Sequence, residues 1–161
     1  MTKTISKKFL FYLLLLISLV LVFAFFVEYK LDHKPCKLCI YERIPYFVSL
    51  LLIGKFFLTK GYEKIILLLL FLVFCVSSIL AFYHFGIEQG FFEESLACTT
   101  GNFSEEISKE QLMEELKNNN LSCKNVSFRI FGLSLAAINT IFSICLSVIF
   151  IKLFVNYGKN K

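Results

Sequence analysis

The chain has 161 residues, 57% of them hydrophobic and only 18% charged, with 20 Phe and a formal net charge of +5. The length suits one domain, and the composition excludes an ordinary water-soluble one. The positive balance gives no argument for a nucleic-acid partner, because the lysines gather at the ends of long apolar runs.

The first apolar run covers about 9–27 and follows Lys3, Lys7 and Lys8. It is longer than a signal-peptide core, and Phe25-Phe26-Val27 offers no small-x-small cleavage site, so it reads as a retained anchor. Outer loop one, about 28–37, leads into a second segment at about 38–58. This segment is the least regular: Glu42, Arg43 and Lys55 lie near its ends, and Pro45 predicts that regular helix starts near Ile44. A re-entrant hairpin is the alternative to a full span. The third and fourth runs, about 65–85 and 130–155, each supply the roughly 20 apolar residues that cross a bilayer. The expected fold is therefore an all-α membrane protein, a four-transmembrane-helix bundle in a single domain spanning 1–161.

Between the third and fourth spans lies a long outer loop, about 86–129. Ser108 and Gln111 form a possible capping box, and Leu112, Met113 and Leu116 recur at helical spacing until Asn118-Asn119-Asn120. That pattern predicts a short amphipathic helix on the membrane surface. Phe91 and Phe92 read as an interfacial anchor. Lys3, Lys7, Lys8, Lys55, Lys60, Lys64, Lys152, Lys159 and Lys161 would all face one side if both termini were cytoplasmic, and the short-loop positive-inside rule favours that orientation.

Six cysteines punctuate this frame. Cys36 and Cys39 form a Cys-x-x-Cys in loop one, and Cys98 and Cys123 lie in the long loop. With four spans those two loops share a face whichever way the protein sits, so the four thiols can meet. Local and crossed pairings both remain open, and four thiols able to re-pair suit relay by thiol–disulfide exchange. Cys75 and Cys145 lie deep in apolar runs and read as small buried hydrophobes. Lys34, Lys37 and Arg43 surround the Cys-x-x-Cys and favour its thiolate, with Glu42 a partial offset. A structural staple is the plain alternative. A zinc half-site is disfavoured and no metal is expected, since Cys98 and Cys123 form no second Cys-x-x-Cys and have no His beside them. His84, at the outer end of the third span, reads either as an interfacial residue satisfied by water or as a proton exchanger for a reduced acceptor.

"KPCKLCIYER" (34–43), with Arg43 four positions past the second Cys, resembles the first-loop active site of the DsbB family of disulfide-bond-forming membrane proteins. "AFYHFGIEQGFFEESLACTTG" (81–101) and "LSCKNVSFRIFGLSLAAIN" (121–139) resemble the family's third-span exit with its first loop cysteine, and its second loop cysteine leading into the fourth span. The resemblance implies a thiol:quinone oxidoreductase in the bacterial inner membrane, with cytoplasmic termini and periplasmic redox loops. A soluble, periplasmic, DsbA-like thioredoxin-fold oxidase would be joined to Cys98. Electrons would pass from Cys98/Cys123 to Cys36/Cys39, and then from Cys39 to ubiquinone or menaquinone held near Arg43 and His84. Two rivals are a vitamin K epoxide reductase-like enzyme, which carries its Cys-x-x-Cys late in the chain, and a non-catalytic four-span protein with stapled loops. Glu88, inside the second of these motifs, has no role that the sequence supplies.

Overall fold

A computed structural model describes residues 7–31, 35–59, 61–93, 123, 129–130 and 132–159. Helix α1 runs over Lys7–Lys30, α2 over Lys37–Leu58 and α3 over Glu63–Glu88. Strands β1 (Arg129–Ile130) and β2 (Leu133–Ser134) form an antiparallel pair that leads directly into α4, Leu135–Lys159. Cys98 and the amphipathic helix expected around 108–117 lie outside the described residues.

Each helix buries one stripe. Leu10, Leu13, Ile17 and Leu21 do so on α1, and Ile66, Leu70, Phe74, Ser77, Ala81 and His84 on α3, at the three- and four-residue spacing that returns to one face. Most of the remaining surface is also apolar: Leu19, Leu51, Leu58 and Ile79 all stand exposed. A helix hydrophobic all round needs an apolar solvent, which is the bilayer's role. Lys7–Lys30, Glu63–Glu88 and Leu135–Tyr157 are each long and apolar enough to cross a membrane.

α3 and α4 make the most extensive helix pairing. Small side chains line it (Ser77 and Ala81 from one helix; Ala136, Ala137, Thr140 and Ser143 from the other), and all are buried. In lipid, where hydrophobicity no longer drives helices together, such residues let backbones approach and permit direct hydrogen bonds. Ser77 and Ser143 meet at 3.0 Å, and Cys75 and Ser147 at 3.2 Å.

Two expectations about helix starts are corrected. α2 does not wait for Ile44: it begins at Lys37, with Cys36 as its N-cap, and carries Pro45 in its interior. Proline removes the N–H that the carbonyl four residues earlier would receive and costs about 3 kcal/mol in an isolated helix. Here Pro45 is buried against the neighbouring helices, and the run continues to Leu58 without doubling back. The fourth apolar run opens as the β1–β2 hairpin, not as helix, because Gly132 takes a φ of +83° that ends pairing in a tight turn.

α3 also ends by a specific device. Gly90 takes a φ of +77°, and the N–H groups of Phe91 and Phe92 turn back to the Gly86 carbonyl at 2.8 and 3.3 Å. The Phe92 ring lies over Gly86, where a Cβ would meet it at 2.2 Å, and beside Tyr83 with ring centroids 5.6 Å apart. Phe92 therefore closes the helix end, while Phe91 projects outward as the more exposed of the two.

Candidate functional site

The N-terminus of α2 builds the centre of the site. Cys36 is extended (φ −69°, ψ 167°), so its Sγ turns back and accepts the Cys39 backbone N–H at 3.3 Å. This is N-capping by sulfur, at the end of the helix where orphan N–H groups favour a negative atom. One turn on, Cys39 Sγ lies 2.8 Å from Cys36 Sγ, and both are free thiols. Cys36 is 8% exposed and Cys39 half-buried, so the pair has an inner and an outer member.

α3 supplies His84 to the inner member. Its Nε2 lies 3.5 Å from Cys36 Sγ, and its Nδ1 lies 2.7 Å from Glu42 Oε1. The other Glu42 oxygen accepts the Asn139 side-chain N–H of α4 at 2.6 Å. Tyr46 donates its hydroxyl to Asn139 Oδ1 and contacts Ser143 Oγ at 3.3 Å. A buried chain of polar groups thus starts at a thiol and ties α2, α3 and α4 together. Each member occupies another's donor or acceptor, which offsets the desolvation that burial in a bundle demands.

The Cys36 thiol is pulled from its ordinary 9.0 down to about 4. The largest cause is the hydrogen bond from the Cys39 side chain; burial opposes it, and His84 adds both a hydrogen bond and its charge. Cys36 is consequently a thiolate at neutral pH when reduced. An imidazolium at His84 would donate from both ring nitrogens, to that thiolate and to the Glu42 carboxylate. This differs from the sequence expectation, which relied on Lys34, Lys37 and Arg43. Lys34 lies outside the described residues, and Arg43 is engaged elsewhere.

Arg43 turns toward α1. Its Nη1 donates to Glu28 Oε2 at 2.5 Å, and its guanidinium lies 4.9 Å from the centroid of the Phe25 ring. Cys39 and Arg43 are four residues apart and so share a helix face. Beside that face, Ile40, Ile44 and Phe47 are exposed.

Cys123 of the long loop reaches the same place. Cys123 is 2% exposed, is disulfide-bonded, and packs in one buried cluster with Cys36, Leu38 and Ile87, against which Cys39 and Tyr83 also lie. Among the sequence-named site residues, Cys36, Cys39, Cys123 and His84 come together, Arg43 borders them from the α1 side, and Cys98 falls outside the described residues. His84 is a buried partner of a thiol and not a water-satisfied interfacial residue. Cys145 is corrected as well: it is exposed on the outer surface of α4, and Cys75 is half-buried.

Sequence reasoning missed Glu42 as the hub, and Asn139, Tyr46 and Glu28 as partners. One signal was available. An acid inside a spanning segment is expensive unless a partner meets it, so Glu42 three residues past Cys39 asked for one.

The family model "Disulfide bond formation protein DsbB" matches residues 6–153. An uncharacterized protein, RP370, of Rickettsia prowazekii (strain Madrid E) is 29% identical over 139 residues, covering 85% of this chain and 80% of that protein. No solved structure matches.

Proposed function

Because this chain belongs to the DsbB family of disulfide bond formation proteins, we propose that it is a membrane thiol:quinone oxidoreductase that reoxidises a soluble, periplasmic, DsbA-like thioredoxin-fold oxidase. The observation that carries the reading is the burial of disulfide-bonded Cys123 against Cys36, beside His84. A disulfide-bonded sulfur packed against a free dithiol suits exchange; a single structural staple has no use for the dithiol.

The reading includes α2 as a fourth span, with both termini cytoplasmic. At 22 residues α2 is about 33 Å long, enough for a hydrocarbon core of roughly 30 Å. Lys37 and Lys55 near its ends reach the interfaces, and Glu42 is met inside the bundle by hydrogen bonds from His84 and Asn139.

In this scheme a partner thiolate attacks Cys98 of a Cys98–Cys123 disulfide and frees the Cys123 thiolate. Cys123 attacks Cys36 Sγ of an oxidised Cys36–Cys39 pair and releases Cys39. The partner's second thiol then closes the partner's own disulfide and releases Cys98. Cys98 attacks Cys123 and re-forms Cys98–Cys123 with loss of Cys36, a good leaving group because of its low pKa. Exchange moves one disulfide's worth of electrons inward without loss: the partner's dithiol is oxidised, and the Cys36/Cys39 dithiol is produced. A bound quinone supplies the sink for two electrons and two protons that closes the Cys36–Cys39 bond again. The residues present fit such a group, because Cys39 and the Arg43 cation share one face of α2 beside exposed Ile40, Ile44 and Phe47. Arg43 would place a cation beside an acceptor bound at this face, and the His84–Glu42 pair holds a proton next to Cys36.

Purified protein, a reduced thioredoxin-fold oxidase and a quinone analogue, followed by quinone absorbance, test the reading. Turnover is expected, and Cys36→Ser or Cys39→Ser abolishes it. Undiminished oxidation by either variant would return the chain to the non-catalytic reading.

A further inference from the structure

Thiol exchange leaves part of the chemistry around Cys36 without a purpose. The two sulfurs of Cys36 and Cys39 and a ring nitrogen of His84 all lie within 4.8 Å of one another. Glu42 occupies Nδ1 at 2.7 Å, which fixes the ring and turns Nε2 toward the sulfurs. A carboxylate behind a histidine is the arrangement that orients imidazoles bound to metal and raises their basicity.

The unexplained group is Glu88, one turn beyond His84 on α3. Its side chain is 6% exposed, and Oε1 lies 3.8 Å from His84 Nε2. Ser134 hydrogen-bonds the carboxylate, yet Oε2 is buried with no hydrogen-bond partner among the described residues. Leaving a buried acceptor unmatched costs about 1–3 kcal/mol, more for a charged group, and nothing in the exchange reaction requires it. Two thiolates and an imidazole supply three donors of a tetrahedral zinc site, and Glu88, 3.8 Å from the same ring nitrogen, completes the set once its carboxylate swings toward the sulfurs. The sequence disfavoured zinc because Cys98 and Cys123 form no second Cys-x-x-Cys and have no His beside them; the fold instead brings His84 to the first pair, with Glu88 one turn further on α3.

We infer that the reduced Cys36/Cys39 pair, with His84 and Glu88, binds one Zn²⁺ ion, and that the bound ion holds the dithiol out of the redox cycle. Binding forms two metal–sulfur bonds, one metal–nitrogen bond and one metal–oxygen bond, releases the Cys39 thiol proton and the His84 Nε2 proton to solvent, and moves no electrons. Closing the Cys36–Cys39 disulfide removes two of the four donors, so the oxidised protein has no site. The sulfurs, now 2.8 Å apart, would open to about 3.7 Å around an ion with metal–sulfur bonds near 2.3 Å. Cys39 is half-buried in the first turn of α2, where that movement meets least resistance.

Full-length protein in detergent, prepared with Cys36 and Cys39 either as dithiol or as disulfide, is titrated with Zn²⁺ in competition with a chromophoric chelator. Neither quinone nor partner is present, so failure here and failure of the oxidase reading are separate events. One ion is expected on the dithiol protein and none on the disulfide form. Glu88→Gln keeps the side chain's shape and weakens binding about ten- to a hundredfold, while turnover measured without zinc stays unchanged. Co²⁺ in place of Zn²⁺ should give the thiolate-to-metal absorption and intense visible bands of a tetrahedral site. Equal binding by the oxidised protein, by the Cys36→Ser/Cys39→Ser variant or by Glu88→Gln would overturn the assignment, as would a Co²⁺ spectrum without thiolate bands.

Discussion

Glu42 and Arg43 are adjacent in sequence and turn to different sides of α2 beside one dithiol. Glu42 points into the bundle, where His84 and Asn139 meet it at 2.7 and 2.6 Å, and both Glu42 and His84 are buried. Arg43 points toward α1 and pairs with Glu28 at 2.5 Å, with side chains 15% and 23% exposed. The inner side is closed and meets Cys36 through His84, where the proposed scheme has sulfur attack sulfur. The outer side is more exposed and, in the proposed scheme, serves Cys39. Exchange between protein thiols needs an oriented, ionised sulfur, whereas an acceptor from the bilayer needs access and a cation.

The largest effect expected from breaking this contrast is Glu42→Ala. It strands His84 and Asn139 in a buried place, and removing one partner of a buried pair costs about 3–5 kcal/mol. Thermal unfolding in detergent should show a marked fall, with Arg43→Ala falling far less. Equal losses would erase the distinction between the two sides.

Titration sharpens the same point. The Cys36 pKa is lowered, so the stability it lends the reduced protein is fully present above the ordinary thiol value of 9.0 and is lost as pH falls through about 4. With a chelator present, the ultraviolet thiolate absorbance of the reduced protein should therefore persist to about pH 4. In His84→Ala the midpoint should rise by about one to three pH units, as loss of a paired opposite charge predicts. An unmoved midpoint would remove His84 from the account of the inner sulfur.

On the outer side, Arg43→Gln should raise the quinone KM by removing the charge beside Cys39, with little change in unfolding temperature. Part-exposed ion pairs contribute about 0–1 kcal/mol, so the Arg43–Glu28 bond matters for placement more than for stability. Glu28→Gln keeps the cation and loosens it, so its KM effect should be the smaller of the two. An unchanged KM in Arg43→Gln would contradict the role proposed for it.

Much of this was legible in the chain and some was not, for identifiable reasons. Long apolar runs announce spanning helices by length alone, as with Lys7–Lys30 and Glu63–Glu88. "KPCKLCIYER" announced the dithiol and its Arg43. Pairings across helices were hidden, because nothing local says that His84 will meet Cys36 and Glu42, or that Arg43 will be taken by Glu28. Pro45 misled for a related reason: a propensity measured in isolated helices is overridden when neighbouring helices hold the segment in place. Gly132 was readable as a turn only once the strands around it were known to pair.

The smallest effects separate the two intramembrane cysteines, which the sequence presents as equivalents. Cys75 Sγ lies 3.2 Å from Ser147 Oγ, a hydrogen bond across the α3–α4 contact, whereas Cys145 is exposed on the outer surface of α4. Interhelical hydrogen bonds in membrane bundles average about 0.6 kcal/mol, so Cys75→Ala should lower stability by roughly that amount and Cys145→Ala by less. Neither thiol lies in the buried cluster of Cys36 and Cys123, so both variants should oxidise the partner at the wild-type rate. A large loss of turnover in Cys145→Ala, at normal protein levels, would mean that electrons pass through a sulfur facing the bilayer. The inner and outer sides of the dithiol would then not account for the whole route.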